Sequence, residues 1–322
     1  MPELPEVETV RRGLHALIIG KVIKSEKHDT AKGFPNSPGD VKAFLIGAKV
    51  QDVRRRAKVL LIDLDTEYTL VIHLKMTGQL VYVGAQKSLV TSLQSSIKTS
   101  DQSLATRDKR LVTSDEVRFG AGHPNDSLIG KLPDKSTRVT LSFIDASNLY
   151  FNDQRKFGWM RLLPTVEVPN IDFMMRVGPE PLEATFTPKI FIERIIKRAN
   201  TTIKAAILDQ TVLAGIGNIY ADESLWGAKI HPATRVKDVP VAKLKKLHFE
   251  IIYVLNLAIE KGGSTDRNYV NAEGKRGSYI DFARVFRQEG KDCPRHLGTA
   301  IVKTRVAGRG THTCPVCQIL PD

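Results

Sequence analysis

Residues 204–223, KAAILDQTVLAGIGNIYADE, predict a helix, a glycine-containing turn and a second helix. Gly215 and Gly217 would let backbone amides approach an anion closely, and Asn218 then opens the second helix. Helix-turn-helix geometry of this kind often grips the backbone of a duplex. A glycine turn between helices is usually only structural, but its combination with Lys204, Asn218 and a basic chain favours DNA.

The flanking segments extend this helical region in both directions. Thr187-Pro188 combines an N-cap residue with proline at the first helical position, which predicts a helix through Ala199. Further helices are predicted from Thr202 to Asp209 and from Val241 to Lys261. Two consecutive glycines end the last of these. The second half of the chain is therefore predicted to be mainly helical.

The first half predicts one helix followed by strands. Pro5 suits a first helical turn and Gly20 a helix end. β-Rich runs lie at 58–64, 68–74, 138–144 and 148–152, and the turn at 145–147 predicts a hairpin between the last two. Several short strands of this kind indicate a sandwich or barrel. The apolar stripe predicted for the helix consists of Val7, Val10, Leu14, Leu17 and Ile18.

The stretch from about 84 to 136 interrupts these strands. It is rich in Ser, Thr, Lys, Asp and Gln, and Phe119 is its only aromatic residue. Such a composition buries too little apolar surface to order itself well, so we expect a flexible insertion with short ordered pieces.

The overall composition limits the classes of function. The 322 residues are enough for two or three domains, and the net charge of +13 indicates a polyanionic partner, either nucleic acid or an anionic membrane surface. No apolar run approaches the ~20 residues of a membrane span, and the N-terminus has no secretory pattern. We therefore expect a cytoplasmic protein.

The three cysteines lie close to the C-terminus in a metal-binding pattern. Cys293 and His296 form one pair, and Cys314 and Cys317 form the other. Two pairs with this spacing fit a tetrahedral zinc site on two turns of a β-hairpin. His312 is an alternative fourth ligand, and a metal-free thiol cluster is the alternative to a metal site. We expect one structural Zn²⁺, because so small a segment has too little core to fold alone.

Basic and apolar residues alternate in the hairpin between the two metal-binding pairs. Glycines flank Arg309, and a guanidinium on a tight turn is well placed to form two hydrogen bonds to one phosphate. The alternative is an exposed surface arginine without a function.

The chain begins Met1-Pro2-Glu3, which predicts an unusual nucleophile. Removal of Met1 would expose a secondary amine with a pKa near ~8, and an amine attacks a carbonyl-like carbon to form a Schiff base. Glu3 could move the protons that this step requires. The alternative is an ordinary start followed by a helix cap.

Four motifs occur in a recognisable order: residues 2–8 (PELPEVE), 208–210 (LDQ), 214–223 (AGIGNIYADE) and 308–311 (GRGT). Together they resemble the bacterial formamidopyrimidine-DNA glycosylase family. The resemblance implies an α+β fold with a β-sandwich at 1–164, a helix–two-turn–helix domain at 165–285 and a zinc-finger hairpin at 286–322.

The resemblance also implies the roles of the catalytic residues. Pro2 would attack the sugar C1′, Glu3 would shuttle protons, and Lys58 would lie near the damaged nucleotide. Arg309 would contact phosphate and assist the second elimination. Two further residues match phosphate-binding positions of the family: Lys204 and Asn218.

Other residues resemble the family's DNA-distorting elements. Extruding a base costs a few kcal/mol of stacking and pairing. Met76, after His73, would fill the gap in the duplex, and Arg155 and Phe157 would assist from a second loop. Arg138 stands where the family often has a DNA-contacting histidine. The loop 262–277 resembles a lid over the extruded base.

The expected activity is excision of oxidised purines, 8-oxoguanine and formamidopyrimidines, followed by β,δ-elimination at the abasic site. The expected substrate is duplex DNA with oxidised bases or abasic sites, and the protein is expected to act as a nucleoid-associated monomer. The alternatives are a preference for oxidised pyrimidines, a non-catalytic damaged-DNA-binding protein and a zinc-ribbon module. His296 departs from the family, which usually has a fourth cysteine.

Overall fold

Two antiparallel sheets form the N-terminal half of a computed structural model that describes residues 2–85, 116–122, 126–128, 130–264 and 279–321. One sheet has the strand order β1-β7-β8-β5-β6 and the other has the order β2-β3-β4-β9. The strands are β1 (Ile23–His28), β2 (Val50–Arg56), β3 (Val59–Leu64), β4 (Tyr68–His73), β5 (Gly78–Ala85), β6 (Glu116–Gly122), β7 (Thr137–Phe143), β8 (Asn148–Asp153) and β9 (Trp159–Pro164).

The inner faces of both sheets share one apolar core with the first helix, α1 (Leu4–Ile18). Val7, Val10, Leu14 and Ile18 of the predicted stripe are buried in that core, and Leu17 packs partly against it. Burial of this stripe removes apolar surface from water on the sandwich side of the helix. The predicted β-sandwich with a flanking helix is confirmed.

The strand pairings confirm the predicted hairpin and correct the predicted insertion. β7 and β8 pair around residues 145–147, with Ser142 opposite Asn148. Residues 116–122, predicted as part of the flexible insertion, instead form β6, because they pair with β5 and bury Phe119 against α1. The rest of that predicted insertion at 86–115, 123–125 and 129 lies outside the described residues.

The second half of the chain is helical, as predicted. The Thr187 hydroxyl accepts a hydrogen bond from the N–H of Ile190 (3.3 Å) and caps the helix that follows. That helix ends in a 3₁₀ turn at Ile196–Arg198. The Thr187-capped helix is α4 (Pro188–Ile195), and the other α-helices of this half are α3 (Asp172–Arg176), α5 (Ile203–Leu208), α6 (Asn218–Ala228), α7 (Val241–Glu260) and α8 (Tyr279–Phe282). The short helix α2 (Pro38–Asp40) lies in the first half.

The C-terminal segment consists of two small hairpins. β10 (Asp292–Cys293) pairs with β11 (His296–Ala300), and β12 (Val302–Val306) pairs with β13 (Arg309–Thr313). Their apolar core is small and includes Trp226 of α6. Among the described residues, no helix is long and apolar enough to cross a membrane.

The glycine turn between α5 and α6 joins the two halves of the molecule. The backbone N–H of Leu4 donates to the carbonyl of Gly215 (3.0 Å), and the Leu4 side chain belongs to the helical core. Gly215 has φ of +83°, and a Cβ there would lie 2.6 Å from the Leu4 side chain. Glycine is therefore required both by the backbone conformation and by the close approach of α1.

Candidate active site

A cavity of about 650 Å³ opens where the sandwich, the helical region and the C-terminal hairpin meet. The start of the chain, the β2–β3 turn, the start of α6 and the β12–β13 turn all contribute to its wall. The structure thus brings together residues that are far apart in sequence. Six of the predicted site residues line the cavity: Pro2, Glu3, Lys58, Met76, Asn218 and Arg309.

Glu3 both caps α1 and faces the cavity. Its backbone N–H donates to Glu6 Oε2 (2.8 Å), which is half of a capping box. Its side chain is only 4% exposed, and Oε1 accepts from the N–H of Ile219 at the start of α6 (3.1 Å). A helix-capping role for Glu3 and a place for its side chain in the cavity are therefore compatible, because the structure shows both for this one residue.

Burial raises the pKa of Glu3 to about 7, although Lys58 opposes the shift. The repulsion from Glu6 adds to it. Oε2 of Glu3 is buried without a hydrogen-bond partner among the described residues. A carboxyl group with a pKa near neutrality and one free oxygen can both donate and accept a proton at physiological pH.

Gly217 provides the space for this carboxyl group. A Cβ at position 217 would lie 2.2 Å from Glu3 Cδ. The sequence predicted that the glycine turn would let helix amides approach an anion. Among the described residues, the anion that meets the start of α6 is the carboxylate of Glu3 itself.

Lys58 lies at the β2–β3 turn with its ammonium group pointing into the cavity wall. Nζ donates to the carbonyl of Ile216 (2.7 Å), and the side chain is buried. Burial lowers the pKa of Lys58, while Glu3 and Glu6 oppose the shift. The Lys58 amine is thereby held in the cavity wall, near Glu3.

Glu6 is a cavity residue that the sequence analysis did not select. Oε1 accepts from the Tyr220 hydroxyl (2.5 Å) and from the backbone N–H and hydroxyl of Ser264 (2.7 and 2.8 Å). Burial, together with the nearby carboxylates, raises the pKa of Tyr220 well above its usual value, so that hydroxyl remains a donor. The spacing of Glu3 and Glu6 was the available indication, since a capping box requires it.

Ser264 is also the last described residue at the start of the predicted lid. Residues 265–277 of the predicted 262–277 loop lie outside the described residues.

The β12–β13 turn carries Arg309 to the rim of the cavity. Within the described part of the chain, its guanidinium is exposed and makes no hydrogen bond or ion pair. Asn218 holds the same turn, because its Nδ2 donates to the carbonyl of Gly310 (2.9 Å). An arginine without a protein partner on a fixed turn is suited to bind an oxyanion.

Lys204 does not fit its predicted role as a phosphate ligand. Its side chain is 0% exposed, and Nζ forms an ion pair with Asp222 (2.6 Å). Nζ also donates to the Thr311 hydroxyl (2.8 Å) and the Gly310 carbonyl (3.1 Å). All three donors of this ammonium group are thus directed at protein atoms, and Lys204 anchors the hairpin instead of facing a ligand.

Met76, Arg155 and Phe157 form one exposed cluster beside the cavity. Met76 and Phe157 are 41% and 47% exposed. The Arg155 guanidinium lies 4.8 Å from the centre of the Phe157 ring, and its Nη1 lies 3.5 Å from Met76 Sδ. The two loops predicted to act together therefore meet, and we call these three residues the wedge.

His73 lies behind the wedge and is mostly buried. Its Nδ1 accepts from the backbone N–H of Lys75 (3.1 Å). Burial, followed by the charges of Lys75 and Lys58, lowers its pKa to about 3. His73 is therefore neutral at physiological pH and can offer a hydrogen bond but no charge to DNA.

Arg138, predicted as a DNA contact, is buried and bound to protein atoms. Its side chain is 7% exposed. The guanidinium pairs with Asp29 and donates to the carbonyls of Asp153 (2.8 Å) and Lys135 (2.6 Å). These partners use three of the five N–H donors of the guanidinium, so DNA contact by Arg138 stays a prediction.

Three cysteines and one histidine converge in the C-terminal segment. Their ligand atoms all lie within 4.8 Å of one another, in the set predicted from the sequence: Cys293, His296, Cys314 and Cys317. Such a set can hold one metal ion. The alternative ligand, His312, is engaged elsewhere, since its Nδ1 lies 3.1 Å from Asp222 and its Nε2 lies 3.3 Å from Glu289.

Comparisons with known proteins agree with this arrangement. The family model described as the formamidopyrimidine-DNA glycosylase N-terminal domain matches residues 1–160, and the model described as the H2TH domain of the same family matches residues 177–269. A formamidopyrimidine-DNA glycosylase of Streptococcus pyogenes is 40% identical over 319 residues, covering 99% of this chain and 98% of the relative. One of Halalkalibacterium halodurans is 38% identical over 321 residues, covering 99% and 100%.

Solved structures give the same result for the fold. Lactococcus lactis Fpg in complex with DNA containing an abasic site has a TM-score of 0.77 at 32% identity, covering 98% of this chain and 99% of that one. The wild-type Lactococcus lactis protein with DNA containing N7-benzyl-Fapy-dG has a TM-score of 0.77 at 32% identity, covering 99% and 100%. MutM in complex with DNA containing carbocyclic 8-oxo-G has a TM-score of 0.76 at 32% identity, covering 99% and 100%.

Proposed function

The chain belongs to the formamidopyrimidine-DNA glycosylase family, and from this premise we propose that it excises oxidised purines from duplex DNA and then cleaves the strand at the abasic site. The observation that carries the proposal is the position of Pro2. It lines the cavity beside a carboxyl group with a pKa near 7 and a buried lysine. Once Met1 is removed, the amine of Pro2 becomes the nucleophile in this cavity.

The chemistry proceeds through an iminium. The Pro2 nitrogen forms a bond to the sugar C1′ while the bond from C1′ to the base breaks, and the base leaves with a proton. The amine then loses its proton, the sugar ring opens with a proton on its oxygen, and a C=N⁺ bond remains. Glu3, with its pKa near 7, moves these protons.

Strand cleavage follows from the iminium. Loss of the C2′ proton expels the 3′ phosphate, and loss of the C4′ proton then expels the 5′ phosphate, which completes β,δ-elimination. Arg309, exposed at the cavity rim, would bind phosphate and assist the second elimination, and Asn218 would bind phosphate beside it. Lys58 would lie near the damaged nucleotide.

The wedge would occupy the space that the extruded nucleotide leaves. Met76 and Phe157 are apolar and exposed, and Arg155 carries donors that can pair with the orphaned base. Such contacts offset part of the stacking and pairing lost on extrusion. His73 supports this region as a neutral hydrogen-bonding group.

We further propose that the metal cluster holds one Zn²⁺ with a structural role. Three thiolates and one imidazole suit zinc, and the donor set already converges. When bound, the ion acts as a cross-link for a segment with a very small apolar core. The proposed limits of the three domains are 1–164, 165–285 and 286–322.

The net charge of +13 favours binding to the negatively charged phosphates of duplex DNA. We propose a monomer that acts on duplex DNA containing oxidised bases or abasic sites. The proposed site of action is the nucleoid, in the cytoplasm.

Borohydride trapping on a duplex containing 8-oxoguanine tests the nucleophile. Reduction of the iminium leaves a stable amine, so we expect a covalent protein–DNA adduct. An N-terminal extension that blocks the amine should abolish the adduct, and Pro2→Gly, which replaces the secondary amine with a primary one, should reduce it. Binding of an uncleavable abasic analogue should be retained by these variants. Failure of the unaltered chain to trap, with DNA binding intact, would indicate a non-catalytic damage-binding protein.

A further inference from the structure

One buried carboxylate holds both loops of the wedge. Asp153 ends β8, is 0% exposed and accepts four hydrogen bonds. Its Oδ2 accepts from the backbone N–H groups of Phe157 (2.8 Å) and Gly158 (2.7 Å). Its Oδ1 accepts from the backbone N–H of Arg155 (3.2 Å) and from the Thr77 hydroxyl.

These four donors belong to two separate loops. Arg155, Phe157 and Gly158 follow β8, whereas Thr77 follows Met76 in the β4–β5 turn. The Thr77 hydroxyl also accepts from the N–H of Arg155 (3.2 Å), so the two loops are cross-linked twice. The position of Met76 on one loop relative to Arg155 and Phe157 on the other is therefore set by Asp153 together with the Thr77 hydroxyl that it binds.

The surroundings of Asp153 leave the carboxylate little freedom. A Cβ at position 158 would lie 3.1 Å from Asp153 Oδ2 and 2.7 Å from the Phe151 ring, so glycine lets the loop close over the carboxylate. The carbonyl of Asp153 accepts from Arg138 Nε (2.8 Å), and its N–H donates to the Ser136 carbonyl (2.7 Å). Arg138 thus stabilises the backbone of Asp153.

We propose that Asp153 is the positioning residue for base extrusion, acting through Thr77 and the backbone of residues 155–158 to present the wedge in one arrangement. This inference rests on the proposed function of the wedge. Contact with water does not stabilise an exposed apolar cluster. If the wedge is already ordered before DNA binds, less conformational entropy is lost when it inserts into the duplex. Asp153 is not among the residues that line the cavity, and it holds Arg155 and Phe157 through their backbone N–H groups.

Asp153→Asn is the most informative change, because it keeps the shape and removes acceptors. Both donors at Oδ2 are backbone N–H groups that cannot reverse, so the amide must place its NH₂ group on the side of Thr77 and Arg155. Thr77 can reverse its hydroxyl and still accept from the N–H of Arg155, but that N–H loses its second acceptor and faces the new NH₂ group. The link between the two loops is thereby weakened while the rest of the turn remains.

The readout compares two substrates under single-turnover conditions. A duplex containing 8-oxoguanine requires extrusion of a paired base, whereas a duplex with an aldehydic abasic site has no base to extrude. We expect Asp153→Asn to slow both reactions unequally. The fold-decrease in the rate of 8-oxoguanine release should be on the order of ten times the fold-decrease in the rate of borohydride trapping at the abasic site. Thr77→Val, which removes only the cross-link, should give a smaller loss of the same selectivity.

Asp145→Asn is the matched control. Asp145 also organises a turn of this sheet, accepting from the N–H and hydroxyl of Ser147 (3.1 and 2.6 Å), but it lies at the β7–β8 hairpin, away from the wedge. It should leave the ratio of the two rates unchanged. The midpoint of thermal unfolding is measured for every variant, so that a change in rate can be compared with any change in stability.

Two results would overturn the inference. One is an equal loss on both substrates, which indicates a purely structural role. The other is a folded Asp153→Asn protein with unchanged selectivity. Met76→Ala and Phe157→Ala test separately whether the wedge itself fills the space left by the extruded nucleotide. If the wedge variants also show no selective loss on paired 8-oxoguanine, the proposed role of the wedge itself is wrong.

Discussion

Glu3 has an exceptional environment at the residue scale. It is the N-cap of α1, it is almost fully buried, and burial raises its pKa to about 7. In the unfolded chain the same carboxyl group has a pKa near 4.5. The native state therefore binds more protons than the unfolded state between these two values, and Glu3 makes the protein less stable as pH rises from about 4.5 to about 7.

We predict that Glu3→Gln stabilises the protein at pH 8 by on the order of 2–3 kcal/mol relative to the unaltered chain. The amide NH₂ can replace Oε2, which has no hydrogen-bond partner among the described residues, while Oε1 still accepts from Ile219. At pH 5 the advantage should fall below about 1 kcal/mol, because Glu3 is then largely protonated in the native state. Urea unfolding at the two pH values measures the difference.

The exposed Glu167→Gln serves as the control for this experiment, since it removes a carboxylate without changing the cavity. An advantage of Glu3→Gln that is equal at pH 5 and pH 8 would contradict the raised pKa. The activity of this variant is not informative here, because Glu3 is also the proposed proton carrier.

At the scale of elements, the glycine turn between α5 and α6 determines how α1 meets the helical region. Position 217 has φ of −132°, which any residue can adopt, so its requirement for glycine is spatial and not conformational. A methyl group there would occupy the place of the Glu3 carboxyl group, 2.2 Å from Cδ. The start of α6 and the Glu3 carboxyl group are thus in direct contact.

Gly217→Ala should therefore displace Glu3 and destabilise the protein by about 1–3 kcal/mol, the usual range for overpacking. Borohydride trapping should slow as well, because the proton carrier moves away from Pro2. Gly39→Ala is the control, since the nearest atom to its Cβ is 3.6 Å away, and it should change stability by less than about 0.5 kcal/mol. A normal trapping rate in Gly217→Ala would show that the carboxyl group can relocate without cost.

Local sequence patterns predicted most of these elements, because their causes lie within a few residues. Thr187 caps its helix, and paired glycines follow the end of α7. The strand at 116–122 was not predictable in this way, because its stability comes from β5 and from the burial of Phe119 against α1. The burial of Arg138 and Lys204 was not predictable for a related reason, since their acidic partners are 109 and 18 residues away in sequence.

At the scale of the whole molecule, a buried ionic network fastens the hairpin to the helical region. Lys204 and His312 both contact Asp222 of α6, and Lys204 also holds the residues that follow Arg309. The position of Arg309 at the cavity rim therefore depends on α5 and α6 as well as on its own hairpin. The high net positive charge favours DNA in general, but only the exposed part of that charge can release counterions from DNA.

This distinction predicts different salt dependences for two cations. Arg309→Ala should reduce the slope of log Kobs against log salt by about one unit, because the exposed guanidinium is expected to neutralise one phosphate. Lys204→Met should leave the slope unchanged and instead lower stability by roughly 3 kcal/mol, because Asp222 keeps a buried, unpaired charge. Titrations of a duplex containing an uncleavable abasic analogue at several salt concentrations measure the slopes, and urea unfolding measures the stability.

The double variant Lys204→Met with Asp222→Asn completes the test. It removes both charges, so it should recover part of the stability lost by Lys204→Met alone. A reduced salt slope in Lys204→Met at normal stability would mean that the ammonium group leaves Asp222 to bind phosphate when DNA is present. The hairpin would then be fastened by Asn218 and His312, and the network around Asp222 would open on binding.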